Sequence, residues 1–173
     1  MPSNYYGTTA DALAYHIARD MGGVWGGISD PEQALQRGSD YIDARYREQL
    51  ASGRWVSMFA GRRAGGRDQQ REWPRVGASD YEGNDIASDE DPIEVIHATF
   101  EAAILEGATP GILSPGYVPS EQVTQETVGP VTVKYADSAK SGSTPNRPVY
   151  PYIDELIAPV LVTRFDMPVI RVV

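Results

Sequence analysis

The sequence contains no cysteine. That absence removes a disulfide framework, a thiolate-bound zinc and a cysteine nucleophile together. Histidine occurs only at His16 and His97. Neither has a second histidine or a carboxylate at metal-ligand spacing, so both read as packed or surface side chains rather than as ligands or general bases. With no nucleophile and base to pair, the expectation is a protein that is not an enzyme and needs no metal or cofactor. No run approaches the roughly 18 apolar residues of a membrane span, and the opening MPSNYYGTTADAL lacks the basic head and apolar run of a signal peptide. A soluble, cytosolic chain that keeps its N-terminus and has no membrane partner is expected. Basic charge is scarce as well. Lys and Arg number 15 against 24 Asp and Glu, a net charge of −9, which repels nucleic acid over most of the surface.

What remains is enough for one hydrophobic core, since 41% of the 173 residues are hydrophobic. The 17 glycines and 13 prolines gather between periodic segments, which predicts compact helices joined by long irregular connections. From Thr8 the apolar positions Ala10, Leu13, Ala14, Ile17 and Met21 recur at helical spacing; Thr8 and Asp11 have the spacing of a capping box, and Gly22-Gly23 reads as the stop. A second helix opens with Asp30 as N-cap and Pro31 at the first position, and should bury Tyr41, Ile42 and Tyr46. A third repeats that grammar, with Asp91 capping, Pro92 first, Glu94 completing a capping box, a stripe of Val95, Ile96, Thr99, Phe100, Ala103 and Ile104, and Gly107 ending it.

Between the second and third helices, residues 51–90 carry no sustained period, and Trp55, Phe59 and Trp73 are the candidate anchors for so long a loop. Within it, AGRRAGGRD lacks the order of a phosphate-binding loop and reads as a flexible basic tip. The acids that follow place Gly83 fourth and Asp91 twelfth counted from Asp80, which is not the calcium-loop pattern, so they read as a solvated acidic face with capping duty. Charge is divided sharply here. From Arg54 to Arg75 six arginines stand against Asp68 and Glu72, a local charge of +4, whereas seven acids and no base lie from Asp80 to Glu94, a local charge of −7. Such opposed blocks suit either a head-to-tail contact between copies, with Arg62, Arg63 and Arg67 facing Asp85, Asp89 and Glu90, or a salt-bridge network within one chain. Trp73, Pro74 and Arg75 read as an elbow: proline restricts its own φ and biases Trp73 to extended backbone, the indole covers the core, and Arg71 and Arg75 point outward.

Beyond the third helix the period changes to two, with Val131, Val133 and Tyr135 alternating after Gly129-Pro130, and a β-hairpin over 121–136 is predicted. A polar linker, SAKSGSTPNRP, leads to a short fourth helix starting at Pro151, with Ile153, Leu156, Ile157 and Val160 inward and Pro159 limiting its length. The expected fold is therefore mainly α, a small bundle of about four helices with a hairpin, as one domain over 1–162, and an extended arm over 163–173. In that arm Phe165, Met167, Val169, Ile170, Val172 and Val173 are numerous for a solvated tail, so it either adds to a partner or folds back over its own bundle.

The order DALAYHIARD, ALQRGSDYIDARY, EWPRVG, DEDPIEVIHATFEAAI, ETVGPVTVKYAD and YPYIDELIAPVL resembles phage proteins labelled DnaT-like single-stranded-DNA-binding proteins, which are similar to the head-tail adaptors of tailed phages. The resemblance runs over about residues 5–162. It implies a structural adaptor of the virion neck, assembled in the host cytoplasm. Such a protein forms a ring of usually twelve copies, docked between the portal protein and a downstream stopper or tail protein, with genomic DNA passing through the lumen. On that resemblance the arm residues Phe165 to Val173 would hold the portal. The alternative is a single-stranded-DNA-binding replication accessory protein, for which Trp55 and the Arg54 to Arg75 block are the one candidate surface.

Overall fold

In a computed structural model, the described residues are 4–114 and 149–162, together with the strands Gln125–Val128 and Val131–Lys134. Five α-helices lie among them: α1 (Thr9–Ile17), α2 (Gly22–Gly26), α3 (Pro31–Arg45), α4 (Ile93–Ala108) and α5 (Pro151–Ile157). The strands are short and pair antiparallel in twos: β1 (Arg47–Gln49) with β2 (Trp55–Ser57), β3 (Arg62–Arg63) with β4 (Arg75–Val76), β5 (Ala78–Ser79) with β6 (Asp85–Ile86), and β7 (Gln125–Val128) with β8 (Val131–Lys134). The fold is mainly helical, as the periodicity predicts, and the predicted hairpin is present in the register Val128 to Val131.

Helix starts follow the local chemistry. Thr8 accepts from the Asp11 amide at 3.1 Å and its hydroxyl donates to the Asp11 carboxylate at 2.7 Å. Asp30 accepts from the Gln33 amide at 2.9 Å, with Pro31 in the first turn of α3. Two boundaries differ from expectation. Gly22-Gly23 does not stop the first helix; α1 ends at Ile17, Asp20 turns the chain with φ 60°, and the glycines open α2, which seats Trp25 in the core. Asp91 does not cap α4 either. Pro92 occupies the cap with extended backbone and offers no side-chain acceptor, so Asp91 is pulled inward and its Oδ1 has no hydrogen-bond partner among the described residues. The helix also continues one residue past Gly107, to Ala108.

The core is built on the crossing of α3 and α4. A Cβ on Gly38 would lie 2.8 Å from the Thr99 carbonyl oxygen and 2.9 Å from the Ala103 nitrogen, so only glycine lets the two backbones meet there. On one side of the crossing, Ala12, Tyr15, Trp25, Leu35, Phe100 and Ile104 pack together. His16 belongs to this layer: it is 1% exposed, stacks on Trp25, and its Nε2 lies 3.2 Å from the Phe100 carbonyl. Burial lowers its pKa below the ordinary histidine range, so it is a neutral packing residue.

On the other side, Tyr6, Tyr41, Ile42, Tyr46, Val95, Ile153 and Ile157 receive two anchors from the loop, Phe59 and Trp73. Trp73 is 1% exposed and meets Phe59 edge to face at 5.7 Å. The third candidate anchor, Trp55, is not one: it stands 58% exposed. The segment after α5 straps the loop down. Phe59 and Leu161 form an isolated β-bridge, Val162 donates to the Met58 carbonyl at 2.8 Å, and Tyr81 donates to the Pro159 carbonyl at 2.8 Å. The arm residues Phe165, Met167, Val169, Ile170, Val172 and Val173 lie outside the described residues, as does the polar linker.

Two substitutions test this packing by thermal or chemical denaturation. Trp73→Ala removes a buried indole and should cost about 3–5 kcal/mol. Gly38→Val drives a branched side chain into the backbone of α4 and should cost about 1–3 kcal/mol or more. A stability matching the parent in either variant would contradict the packing described.

Candidate nucleic-acid interface

The chain turns at Trp73-Pro74, a cis peptide bond, and the residue just before that turn organises the surface. The Glu72 side chain is only 4% exposed. A buried carboxylate is costly unless cations and donors surround it, and three arginines from three strands do so. Arg63 approaches Oε1 at 2.6 Å and Arg47 approaches the same oxygen at 3.1 Å, while Arg75 reaches Oε2 at 2.8 Å. Burial alone would raise the Glu72 pKa. The Arg63 hydrogen bond and the charges of Arg63, Arg47 and Arg75 outweigh it and hold the carboxyl below the usual glutamate value.

The elbow residues do cover the core, but the arginines around them do not point outward as the sequence suggests. Arg75 is 4% exposed. Besides Glu72 it donates to the carbonyls of Ala60 at 2.6 Å and Gly61 at 2.8 Å, pinning the turn after Phe59. Arg71 likewise turns inward: it pairs with Asp40 at 2.7 Å and Asp43 at 3.3 Å and donates to the Asn4 carbonyl. Asp43 is the second buried acid here. It accepts from the Tyr6 hydroxyl at 2.6 Å and the Glu72 amide at 3.4 Å, and Tyr6 in turn accepts from the Trp73 amide at 3.1 Å. Burial pushes the Asp43 carboxyl up despite those donors. The loop is thus fixed to α3 by Arg71 and Asp43, and to itself by Glu72.

The opposed charge blocks do not neutralise each other. Among the described residues, no ion pair joins Arg62, Arg63 or Arg67 to Asp85, Asp89 or Glu90. Arg63 is committed to Glu72, and Asp80 folds its own turn by accepting from the Asn84 and Glu82 amides at 2.8 and 2.9 Å. The Asn84 side-chain amide also donates to Oδ2 at 2.8 Å, and that bond first, then the backbone ones, hold the Asp80 carboxyl below its usual value. Asp85, Asp89 and Glu90 are exposed. Metal-like groupings of acids and histidines are not found among the described residues.

The consequence is a basic surface with an aromatic on it. In the register of β1 and β2, Arg47 lies opposite Ser57 and Gln49 opposite Trp55, so Arg47, Gln49 and Trp55 share one outward face while Glu48 and Val56 take the other. Diagonal neighbours on such a face are about 7–8 Å apart, so Arg47 and Trp55 occupy adjacent positions of the ribbon, with the Arg47 guanidinium turned to Glu72. Arg54, next to Trp55 in sequence, and Arg62 and Arg67 further along the loop are exposed and form no ion pair among the described residues. Three cations around one acid leave the hub itself with a charge of about +2 at neutral pH, because arginine keeps its proton. The sequence locates Trp55 and the Arg54 to Arg75 block but misses Arg47, which lies outside that block, and the hub acid Glu72. Strand pairing brings Arg47 in, and no local signal marks it.

Glu72→Gln should therefore destabilise the fold by about 3–5 kcal/mol at neutral pH, as breaking a buried ion pair does. The pH dependence has a definite sign. With its folded pKa lowered, Glu72 contributes stability above the unfolded glutamate pKa of about 4.3, and that contribution is lost as pH falls through the folded value. Asp43, raised by burial, acts oppositely: its contribution is present at low pH and lost as pH rises through its folded value. The fall in Tm on acidification should thus be smaller in Glu72→Gln than in the parent. An equal fall would remove Glu72 from the acid response.

Among comparisons with known proteins, the family described as "Putative DnaT-like ssDNA binding protein" matches residues 2–172. No curated protein and no solved structure matches the chain. The family match corrects the expectation of a head-tail adaptor. Its description concerns single-stranded DNA, with nothing of a virion, a connector or a ring, and so falls on the alternative reading, the single-stranded-DNA-binding protein. The adaptor role is accordingly set aside.

Proposed function

Since the chain belongs to the DnaT-like single-stranded-DNA-binding family, we propose that it binds single-stranded DNA on the face of β1 and β2, acting by binding and not by catalysis. The observation that carries this reading is Trp55. A tryptophan left 58% exposed on a strand, with Arg54 next to it in sequence and Arg47 diagonally across the ribbon, is costly to hydrate and well suited to stack on an unpaired base. Bases are sequence-tolerant partners for an indole because each offers a π-face. Arg47, whose side chain is 41% exposed, and Arg54, with the exposed Arg62 and Arg67 of the same loop, would track the phosphates. Duplex DNA offers no unstacked base to Trp55 and presents its phosphates to a protein of net charge −9, so it should bind more weakly.

Trp25 and Trp73 are buried, at 4% and 1% exposure, so quenching of tryptophan emission by an oligothymidylate reports on Trp55. The expected result is saturable quenching that disappears in Trp55→Ala, together with a loss of about 1–3 kcal/mol in binding by anisotropy. Three or four phosphate contacts give a slope of about −2 to −3 in log K against log salt, from about −0.7 per contact on single strands. The double variant Arg62→Glu with Arg67→Glu should flatten it. Unchanged affinity in Trp55→Ala, or equal affinity for a duplex of the same length, would refute the proposed interface.

A further inference from the structure

Glu72 has more positive charge around it than it needs. One guanidinium neutralises a carboxylate, and three surround this one. They are not held alike. Arg75 is closed in, its side chain 5% exposed, and besides Glu72 Oε2 it bonds the carbonyls of Ala60 and Gly61. Arg63 makes the shortest contact, 2.6 Å to Oε1, and also donates to the Gln69 carbonyl at 3.1 Å. Arg47 reaches the same Oε1 at 3.1 Å and so shares an acceptor that Arg63 already occupies. Its side chain is the most exposed of the three, at 41%.

Removing a partner from a buried acid is strongly destabilising when it leaves the charge uncompensated. Taking Arg47 away does not do so, because Glu72 then lies between Arg63 and Arg75 with one positive charge still in surplus. Arg47 is thus the member of the hub that can leave. It is also the member beside the indole, since it stands diagonal to Trp55 on one face of the β1–β2 ribbon. A strand with a base stacked on Trp55 carries its phosphates past that position.

We propose that Arg47 is an exchangeable cation: it rests on Glu72 in the free protein and passes to a phosphate of the bound strand, while Arg63 and Arg75 keep the loop in shape. This rests on the reading of the chain as a single-stranded-DNA binder. In the exchange one anionic acceptor replaces another on the same guanidinium, so the loop need not open to admit DNA. Glu72 holds the guanidinium near the strand's path in advance and competes with the phosphate for it. Only an anionic strand drives the exchange; bases without phosphates do not.

Arginine-to-methionine variants of the full chain test this. Without DNA, Arg47→Met should lower Tm by no more than about 3 °C, as loss of a half-exposed ion pair does, and Arg75→Met by about 6 °C or more. With oligothymidylate, Arg47→Met should bind about tenfold more weakly, the worth of one charged hydrogen bond, and its slope of log K against log salt should be shallower by about 0.7. A peptide-nucleic-acid oligothymine, which offers bases on an uncharged backbone, should bind the parent and Arg47→Met alike. In nitrogen-15 spectra of the parent, oligothymidylate should move the Arg47 guanidinium signals and leave those of Arg75 in place. The exchange is overturned by an Arg47→Met variant destabilised as much as Arg75→Met, by equal oligothymidylate affinity and salt slope in Arg47→Met and the parent, or by Arg47 signals that stay still when the strand binds. Each of these leaves the Trp55 interface standing. A parent that binds no oligothymidylate removes that interface itself, and the exchange with it.

Discussion

The Glu72 carboxylate, closed off from solvent, requires positive charge around it, and β1, β3 and β4 each supply one guanidinium. That requirement gives the stretch between α3 and α4 its shape. Its strands are two or three residues long and form no common sheet, too little ladder to hold a loop of this length. The loop is held by its ends and its middle: Phe59 and Trp73 inserted into the helical core, Arg71 tied to α3, and the arginines converging on Glu72. A buried carboxylate with three cations is worth less than its gross attraction suggests, because desolvation opposes it. What it supplies is geometry, since it draws β1, β3 and β4 to one point.

From this geometry follows a local inversion of charge. A protein of net charge −9 is a poor candidate for DNA by composition, and composition alone argues for repulsion. Spatial arrangement alters that conclusion in one place. Among the described residues, the acids from Asp80 to Glu94 form no ion pair with the basic loop, so the exposed Arg54, Arg62 and Arg67 keep their charge available in the loop that carries Trp55. Long-range repulsion and short-range attraction then coexist. This suits a binder that engages a flexible single strand at a small basic face and does not embed in a duplex.

Much of the fold was legible in the sequence. Periodicity located α3, α4 and α5, with the expected Asp30 cap present at α3, and the change of period located β7 and β8. It erred where two local signals competed: Gly22-Gly23 resembles a stop but serves as a helix start once Asp20 has turned the chain, and Pro92 displaces Asp91 from the cap. The loop was legible only as an absence of period, because its strands are too short to show alternation. Of the site, Trp55 and the basic block could be read directly. Arg71 and Arg75 could not be given a direction, since whether an arginine turns in or out depends on the buried acids and bare carbonyls it meets, and Asp43 and Ala60 are distant in sequence. The adaptor expectation came from resemblance, not from any residue pattern, and the family match replaced it.

Whether Glu72 truly sits as a charged hub can be read from its own titration, with the side-chain carboxyl carbon followed by NMR in the folded protein as pH is lowered. A midpoint below the ordinary glutamate value of about 4.3, with the Trp55 and Arg47 resonances moving as Glu72 takes its proton, is the predicted result. A midpoint at or above that value would show that the three arginines do not hold the carboxylate, and would contradict the account of how this surface is built.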